Sequence, residues 1–281
     1  MRILFAVDEH SYSASAIFQV ARLGENTWAD ITLFGIPTKL TGSGGGLGKK
    51  SPVQPIDNVL QKYQKQLLDS FDSIDSPYSK TGHDGKNKAT IDKQINIRTG
   101  EGNPARAIVE EAKKEGSDLI VIGCSAQNSC SWEDGGNVPL KVAKDAACSV
   151  LVIKKGEKKL DRVLCCLDHD SISQESLEMV NQMVTLFKAD LEIVVLTKNE
   201  DVQEKVEKKL SWLIEYYSAR DIFPYIELVK LSSLEEFVSQ QSRWGLMAMW
   251  MGKKSILESV FPSNKVSRLL KVNESSVLFL R

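Results

Sequence analysis

The sequence predicts an α/β protein made of two doubly wound domains, each with a five-stranded parallel sheet, related by a pseudo-twofold axis. Two observations support this fold class. Apolar runs of strand type alternate with stretches of helical spacing, which is typical of parallel sheets covered by helices. The chain of 281 residues also repeats itself, so the alternation occurs twice.

The first copy alternates five predicted strands with four predicted helices. The strands are predicted at "ILFAVD", "ADITLFGI", "ATIDKQINIRTG", "DLIVIG" and "SVLVIKK", and the helices at "SASAIFQVARLG", "IDNVLQKYQKQLLDSFD", "NPARAIVEEAKKEG" and "VPLKVAKDA". The first strand is a continuous apolar run that ends in Asp8, as expected of a strand buried on both faces. Gly24 is predicted to cap the C-terminus of the first helix. In such sheets, ligands bind beyond the carboxyl ends of the strands, where the strand order reverses.

The second copy begins at Val163 and follows the first without a gap over its opening strand and helix. The identical pairs at one constant offset include Asp8 and Asp168, Ser11 and Ser171, Ser13 and Ser173, and Val20 and Val180. The final strands, "SVLVIK" from Ser149 and "SVLFLR" from Ser276, match at a smaller offset. The segments "PTKLTGSGGGLGKKSPVQP" and "SPYSKTGHDGKNK" belong to the first copy alone and are predicted to be surface insertions. The predicted domains are residues 1–155 and 160–281.

Composition argues against several classes of partner. Because 36 basic residues balance 37 acidic ones and the pI is near 6.4, no overall field favours nucleic acid or an anionic membrane. The apolar runs are far shorter than the roughly 20 residues of a membrane span, so we expect a soluble, cytoplasmic protein. The five cysteines form no Cys-x-x-Cys pair, and we expect neither a disulfide framework nor a zinc site. Cys124 and Cys130 are interpreted as inert thiols, and the three histidines are too scattered for a metal triad.

The stretch "GCSAQNSCSWEDGGNV", residues 123–138, is the candidate ligand loop of the first copy. Glycine lets phosphate oxygens approach main-chain N–H groups, and the helix start beyond Gly136 offers N–H donors to an anion. Glu133 and Asp134 oppose this interpretation, because carboxylates repel a polyphosphate at close range. The alternative is that Asn137, followed by Pro139, simply caps a helix.

These patterns resemble the universal stress protein family. The resemblance rests on a first strand ending in Val-Asp or Leu-Asp, Ser-rich helix starts, and a late segment similar to Gly-x2-Gly-x9-Gly-Ser/Thr before a "VLVI" strand. It occurs once in each copy, so the chain is similar to the tandem members of that family. The resemblance implies the fold predicted above and ATP bound at the first copy, with magnesium only where ATP is bound.

The resemblance also implies a set of binding residues. They are the Asp after the first strand, a backbone position at the end of the second strand and the four positions of the glycine motif: Asp8, Ile36, Gly123, Ala126, Gly136 and Asn137. Ala126 replaces the second glycine of the motif, and Asn137 replaces its Ser or Thr. The motif spacing is therefore kept while two of its four identities change.

The second copy departs further from the motif. If Gly252 is taken as its first glycine, Ser255 replaces the second, and Ser263 with Asn264 stands two residues early for the final pair. We therefore expect the second copy to be structural, with Asp168 as a vestige.

The final strands of the two copies are predicted to pair with each other. In universal stress proteins the last strand commonly pairs with the same strand of a second subunit, which protects an apolar edge. Because "VLVI" and "VLFL" belong to one chain here, they are expected to run antiparallel and form an internal pseudo-dimer. The sequence does not decide whether this pseudo-dimer assembles into further homo-oligomers.

Two functions of different class follow. The first is a nucleotide-responsive stress protein that regulates unidentified protein partners, and the second is an interaction module that has lost the nucleotide. No set of nucleophile, base and orienting group is visible, so an enzyme is not expected. Slow ATP hydrolysis would be a by-product of holding the phosphates.

Overall fold

A computed structural model describes residues 1–27, 29–37, 55–73, 95–125, 137–156, 160–167, 173–197, 204–241, 245–250 and 275–281. Its first half, up to residue 156, contains β1 (Arg2–Val7), α1 (Ser11–Thr27), β2 (Asp30–Gly35), α2 (Ile56–Ser73), β3 (Ile95–Thr99), α3 (Pro104–Glu115), β4 (Leu119–Cys124), α4 (Val138–Asp145) and β5 (Ser149–Lys154). Its second half, from residue 160, contains β6 (Arg162–Leu167), α5 (Gln174–Phe187), β7 (Asp190–Thr197), α6 (Glu204–Ser218), β8 (Tyr225–Lys230), a 3-10 turn (Leu231–Ser233), α7 (Leu234–Gln241), β9 (Leu246–Trp250) and β10 (Ser276–Leu280). The predicted surface insertions lie largely outside the described residues.

All the described strands belong to one ten-stranded sheet, ordered β3-β2-β1-β4-β5-β10-β9-β6-β7-β8. Neighbouring strands are parallel within each half, whereas β5 and β10 are antiparallel. The order is the same when read outward from the centre in either direction, so the halves are related by a pseudo-twofold axis. The predicted fold class is confirmed. Because the sheet is continuous, the division at residues 155 and 160 stays a prediction.

The centre of the sheet is the pairing of β5 with β10. Val277 lies opposite Val152, and Phe279 lies opposite Val150. These four side chains are at most 1% exposed, so the pairing buries the apolar final strands that the sequence predicts to meet. The expected antiparallel pairing across the two copies is therefore confirmed.

Helices of the two halves also touch beside the central strands. In α1, Arg22 donates a hydrogen bond of 3.0 Å to the carbonyl oxygen of Leu186 in α5. Its guanidinium carbon lies 5.0 Å from the ring centroid of Phe187, within the range of a cation–π interaction. The halves are thus joined through both the sheet and one helical layer.

The prediction for Gly24 is wrong. Gly24 does not cap α1, because the helix continues to Thr27. A Cβ atom on Gly24 would lie 2.6 Å from Cδ1 of Ile31 in β2. This glycine therefore allows α1 to pack closely on the sheet, which explains a glycine inside a helix.

Candidate functional site

The candidate site of the first half lies where the strand order reverses, between β1 and β4. Val7 pairs with Gly35 and Ala6 pairs with Ile122, so Asp8, Ile36 and Gly123 stand on neighbouring strands at the same end of the sheet. Asp8 is 4% exposed and Ile36 is 3% exposed. Asn137 precedes α4, the helix that follows β4 in the described part of the chain. Ala126 and Gly136 lie outside the described residues.

Asp8 is a buried carboxylate that accepts four hydrogen bonds from its own chain. Its Oδ1 accepts from the backbone N–H of His10 (3.1 Å) and from Oγ of Ser13 (2.7 Å). Its Oδ2 lies 3.1 Å from Nδ1 of His10 and accepts from the hydroxyl of Tyr12. Since a carboxylate offers about four acceptor positions, the carboxylate of Asp8 is fully satisfied.

The two oxygens of Asp8 have different kinds of partner. Oδ1 is fixed by a backbone group and by Ser13, a fully buried residue in the first turn of α1. Oδ2 contacts only side-chain donors, the imidazole of His10 and the phenol of Tyr12, among the bonds that the structure shows for it. Those two rings are stacked, with centroids 5.3 Å apart. A donor group of a ligand would therefore reach Oδ2 by replacing side chains rather than backbone.

A second tyrosine, Tyr63, contacts the turn that carries His10. The hydroxyl of Tyr63 in α2 donates to the carbonyl oxygen of His10 at 3.2 Å. Burial, assisted by the negative charges of Asp8 and Glu9, raises the pKa of Tyr63 to about 12. Tyr63 is thus neutral at physiological pH and supports the turn that carries His10.

Gly123 is required by the packing of α1. A Cβ atom at this position would lie 2.5 Å from the carbonyl oxygen of Tyr12 and 3.0 Å from Cα of Ser13. The absent side chain therefore admits the first turn of α1, which supplies two donors to Asp8. A role of Gly123 at a phosphate stays a prediction, because the packing of α1 alone explains a glycine here.

Asn137 does not act as the helix cap that the alternative interpretation predicts. It occupies the N-cap position of α4, but its side chain makes no capping hydrogen bond. Its Oδ1 is buried without a hydrogen-bond partner in the described part of the chain. A buried acceptor without a partner is costly unless another group satisfies it, so Oδ1 of Asn137 is available to a donor group of a ligand.

Three residues of this region were not singled out by the sequence: Tyr12, Tyr63 and Lys155. Lys155 follows β5, and its Nζ donates a hydrogen bond of 2.8 Å to Oγ of Ser11. Tyr12 and Lys155 each stand just beyond a strand that ends at the site, a position that could have marked them. Tyr63 lies far along the chain and carries no such signal.

Cys124 also differs from expectation. It is buried at the end of β4 and is disulfide-bonded, so the interpretation as an inert thiol is wrong for Cys124. Cys130 itself lies outside the described part. Among the described residues, no group of three His, Cys, Asp or Glu side chains is placed to hold a metal ion.

Comparison with known proteins decides the family. Residues 1–154 match the model of the universal stress protein family. The chain belongs to this family. A universal stress protein of Methanocaldococcus jannaschii is 44% identical over 66 residues, which cover 24% of this chain and 39% of the archaeal protein. The matched stretch is thus well under half of that relative.

Solved structures match this universal stress protein over its whole length. A universal stress protein from Archaeoglobus fulgidus has a TM-score of 0.64 at 13% identity, with 100% of this chain and 98% of that chain covered. A putative universal stress protein from Pseudomonas aeruginosa has a TM-score of 0.61 at 14% identity, with 99% and 92% covered. At such identities the likeness concerns the fold alone. No helix among the described residues has the length and apolar character of a membrane span.

The second half of this universal stress protein is built differently at the position equivalent to Gly123. Leu119 pairs with Ser149, and in the second half Leu246 pairs with Ser276, so the two halves share one register. That register aligns Gly123 with Trp250, which corrects the sequence alignment of Gly123 with Gly252. Trp250 packs on the same core face that α1 covers in the first half. Asp168 lies outside the described residues.

Proposed function

We propose that this universal stress protein is a regulatory protein whose first half binds an adenine nucleotide beyond the carboxyl ends of β1, β2 and β4. The observation that carries the proposal is the position of Asp8. Its buried carboxylate stands at the reversal of strand order, where ligands of doubly wound sheets bind. The nucleotide would alter how the protein associates with partner proteins, and it has a regulatory rather than a catalytic role.

The hydrogen bonds of Asp8 suggest how a nucleotide is accepted. Oδ1 stays fixed by His10 N–H and Ser13, while Oδ2 exchanges its side-chain donors for donors of the ligand. The amino group of adenine and the hydroxyls of ribose are such donors. Exchange of like for like avoids leaving a buried acceptor unsatisfied, which would cost about 1–3 kcal/mol.

The remaining residues of the proposed site surround this carboxylate. The backbone at Ile36 would face the base, and the amide Nδ2 of Asn137 would donate to the phosphate end, while its unsatisfied Oδ1 would accept from a hydroxyl of the ligand. The ammonium of Lys155, beside the first turn of α1, adds a positive charge for phosphate. Ala126 and Gly136 are proposed to line the phosphates, with magnesium as a companion of ATP.

One observation favours the alternative function, an interaction module without nucleotide. All four acceptor positions on Asp8 are filled by donors of the chain itself, and the glycine at position 123 is explained by packing. In that case the hydrogen bonds around Asp8 only stabilise the fold, and the regulation of partner proteins needs no ligand.

Mass spectrometry of small molecules released from the purified, denatured full chain tests the two functions. The proposal predicts an adenine nucleotide, either retained on the protein or captured after incubation with ATP and magnesium. Protein carrying Asp8→Asn should release little. Release of equal amounts by both proteins would contradict the role of Asp8, and release of none by either after incubation would favour the interaction module.

A further inference from the structure

The two edges of the sheet differ in character. At one edge, Arg98 of β3 forms an ion pair with Glu115 of α3, with 3.6 Å between Nε and Oε1. At the other edge, β8 exposes large apolar side chains. Tyr225 is 66% exposed and Leu228 is 44% exposed, while Phe223, just before the strand, is 78% exposed. An edge strand leaves alternate N–H and C=O groups unpaired, so an apolar edge is suited to pairing with another chain.

A groove runs between β8 and α7 beside this edge. Its volume is about 270 Å³, and we call it the β8 groove; it is lined by Glu227, Leu228, Val229, Lys230, Ser233, Glu236, Phe237 and Gln240. Val229 is 7% exposed and belongs, with Phe237, to the apolar core under α7. Pockets for small molecules usually measure about 300–1,000 Å³; the β8 groove lies just below that range and can receive a single side chain.

The charges of the β8 groove come from both of its walls. Glu227 and Lys230 stand on the strand, and Glu236 stands on the exposed side of α7, so the carboxylates outnumber the ammonium group by two to one. The amide of Gln240 lies 3.4 Å from Oε1 of Glu236, which leaves the second oxygen of that carboxylate for another donor. Two carboxylates above an apolar floor fit a side chain with a long apolar stem and a cationic head.

We propose that the β8 groove binds an extended peptide segment of a partner protein, which adds to β8 as an eleventh strand. Strand addition supplies main-chain hydrogen bonds, and a pocket for alternate side chains supplies specificity. The side chain in the groove is lysine or arginine, with its stem on Val229 and Phe237 and its charge between Glu227 and Glu236. This surface is remote from Asp8 in the sheet order and does not depend on nucleotide binding.

A second copy of this chain fits the same edge poorly. Two β8 strands that pair antiparallel are related by a twofold axis perpendicular to the sheet, which keeps both α7 helices on the same face. In the register that centres on Glu227, the Glu227 carboxylates of the two copies would face each other across the seam. Like charges across such a seam are destabilising, so a basic peptide is the better occupant.

Fluorescence anisotropy with labelled ten-residue peptides tests the proposal on the full chain. A peptide of alternating lysine and valine should bind, and a peptide of alternating glutamate and valine should not. Glu236→Lys should weaken binding of the lysine peptide by about tenfold. The matched control Glu110→Lys, which makes the same charge change on exposed α3, should change it less than about twofold.

A third peptide separates strand addition from simple charge attraction. Replacing alternate valines with proline keeps the charge but removes N–H donors, so binding through β8 should be lost. Equal binding of the proline peptide, equal binding of the glutamate peptide, an unaffected Glu236→Lys variant or no binding of the lysine peptide would overturn the proposal. Sedimentation showing a dimer that Leu228→Glu dissociates would overturn it in favour of a second copy.

Discussion

The backbone N–H of Lys154 donates a hydrogen bond of 3.1 Å to Oγ of Ser276, across the boundary between the two halves. Its counterpart joins the N–H of Arg281 to Oγ of Ser149 at 3.3 Å. The two serines begin β10 and β5, so they occupy equivalent positions of the repeat. The central strand pair is therefore closed at both ends by the same hydroxyl–amide contact, which repeats the pseudo-twofold symmetry in atomic detail.

Replacing Ser276 with alanine should destabilise the protein. Ser276 is fully buried, and its loss removes the hydroxyl that accepts from the N–H of Lys154, which costs about 1–3 kcal/mol. The free energy of unfolding from urea titrations measures the change. Ser239→Ala, which removes an exposed hydroxyl from α7, is the control and should cost less than about 0.5 kcal/mol. Equal costs for both variants would mean that the contact contributes nothing to joining the halves.

Gly123→Ala should cost more than Gly35→Ala, although both add one methyl group to a strand. The new Cβ at position 123 lies 2.5 Å from the backbone oxygen of Tyr12. A backbone atom cannot relieve this contact by a change of rotamer. At position 35 the new Cβ meets side-chain atoms of Ile56 and Leu60 at 2.8 and 2.9 Å, which can shift. We expect about 2–3 kcal/mol and about 1 kcal/mol respectively, by urea titration without nucleotide. A reversed order would contradict the packing account of Gly123.

Alkaline pH should weaken the fold through Tyr63. Its pKa is raised from 10.0 to about 12 in the folded protein, so between these pH values the unfolded chain loses the proton first. Fewer protons on the unfolded state mean that stability falls as pH rises from 10 to 12. Tyr63→Phe, compared with wild type by unfolding at several pH values, should lose less stability over that window. If both proteins lose the same stability between pH 10 and 12, the loss does not come from Tyr63.

The sequence predicted the fold well and the site only in part. Alternating strands and helices and the repeat predict two five-stranded parallel sheets, because periodicity and strand burial are local properties. The pairing of their final strands follows from the resemblance to universal stress proteins. The register that places Trp250 opposite Leu280 is not local, and "LMAMWMG" offers Gly252 as a competing match. The four donors on Asp8 depend on how α1 turns back over β1, a matter of three-dimensional geometry. Asp8 itself was predictable because the strand ends there.

Removing the phenolic hydroxyl of Tyr12 should strengthen nucleotide binding. Tyr12 competes with the ligand for Oδ2 of Asp8, and one hydrogen bond is worth about 1 kcal/mol, so Tyr12→Phe should tighten binding by about fivefold. His10→Ala should act in the same direction. Tyr225→Phe removes an exposed hydroxyl at the far edge of the sheet and should not change the affinity for the nucleotide. Affinities from calorimetry decide the matter, and weaker binding in Tyr12→Phe would mean that the phenol contacts the ligand.

Isothermal titration calorimetry of the full chain with ATP and magnesium tests the central claim most directly, since it gives both stoichiometry and affinity. The account predicts one nucleotide per chain. It also predicts that Asp8→Asn weakens binding at least about tenfold, through loss of a charge-assisted acceptor, while Asp168→Asn changes it less than about twofold. Thermal unfolding of each variant verifies that it is folded. Two nucleotides per chain, an equal loss in Asp168→Asn, or no binding heat for the wild-type protein would contradict the claim that the first half alone holds the ligand.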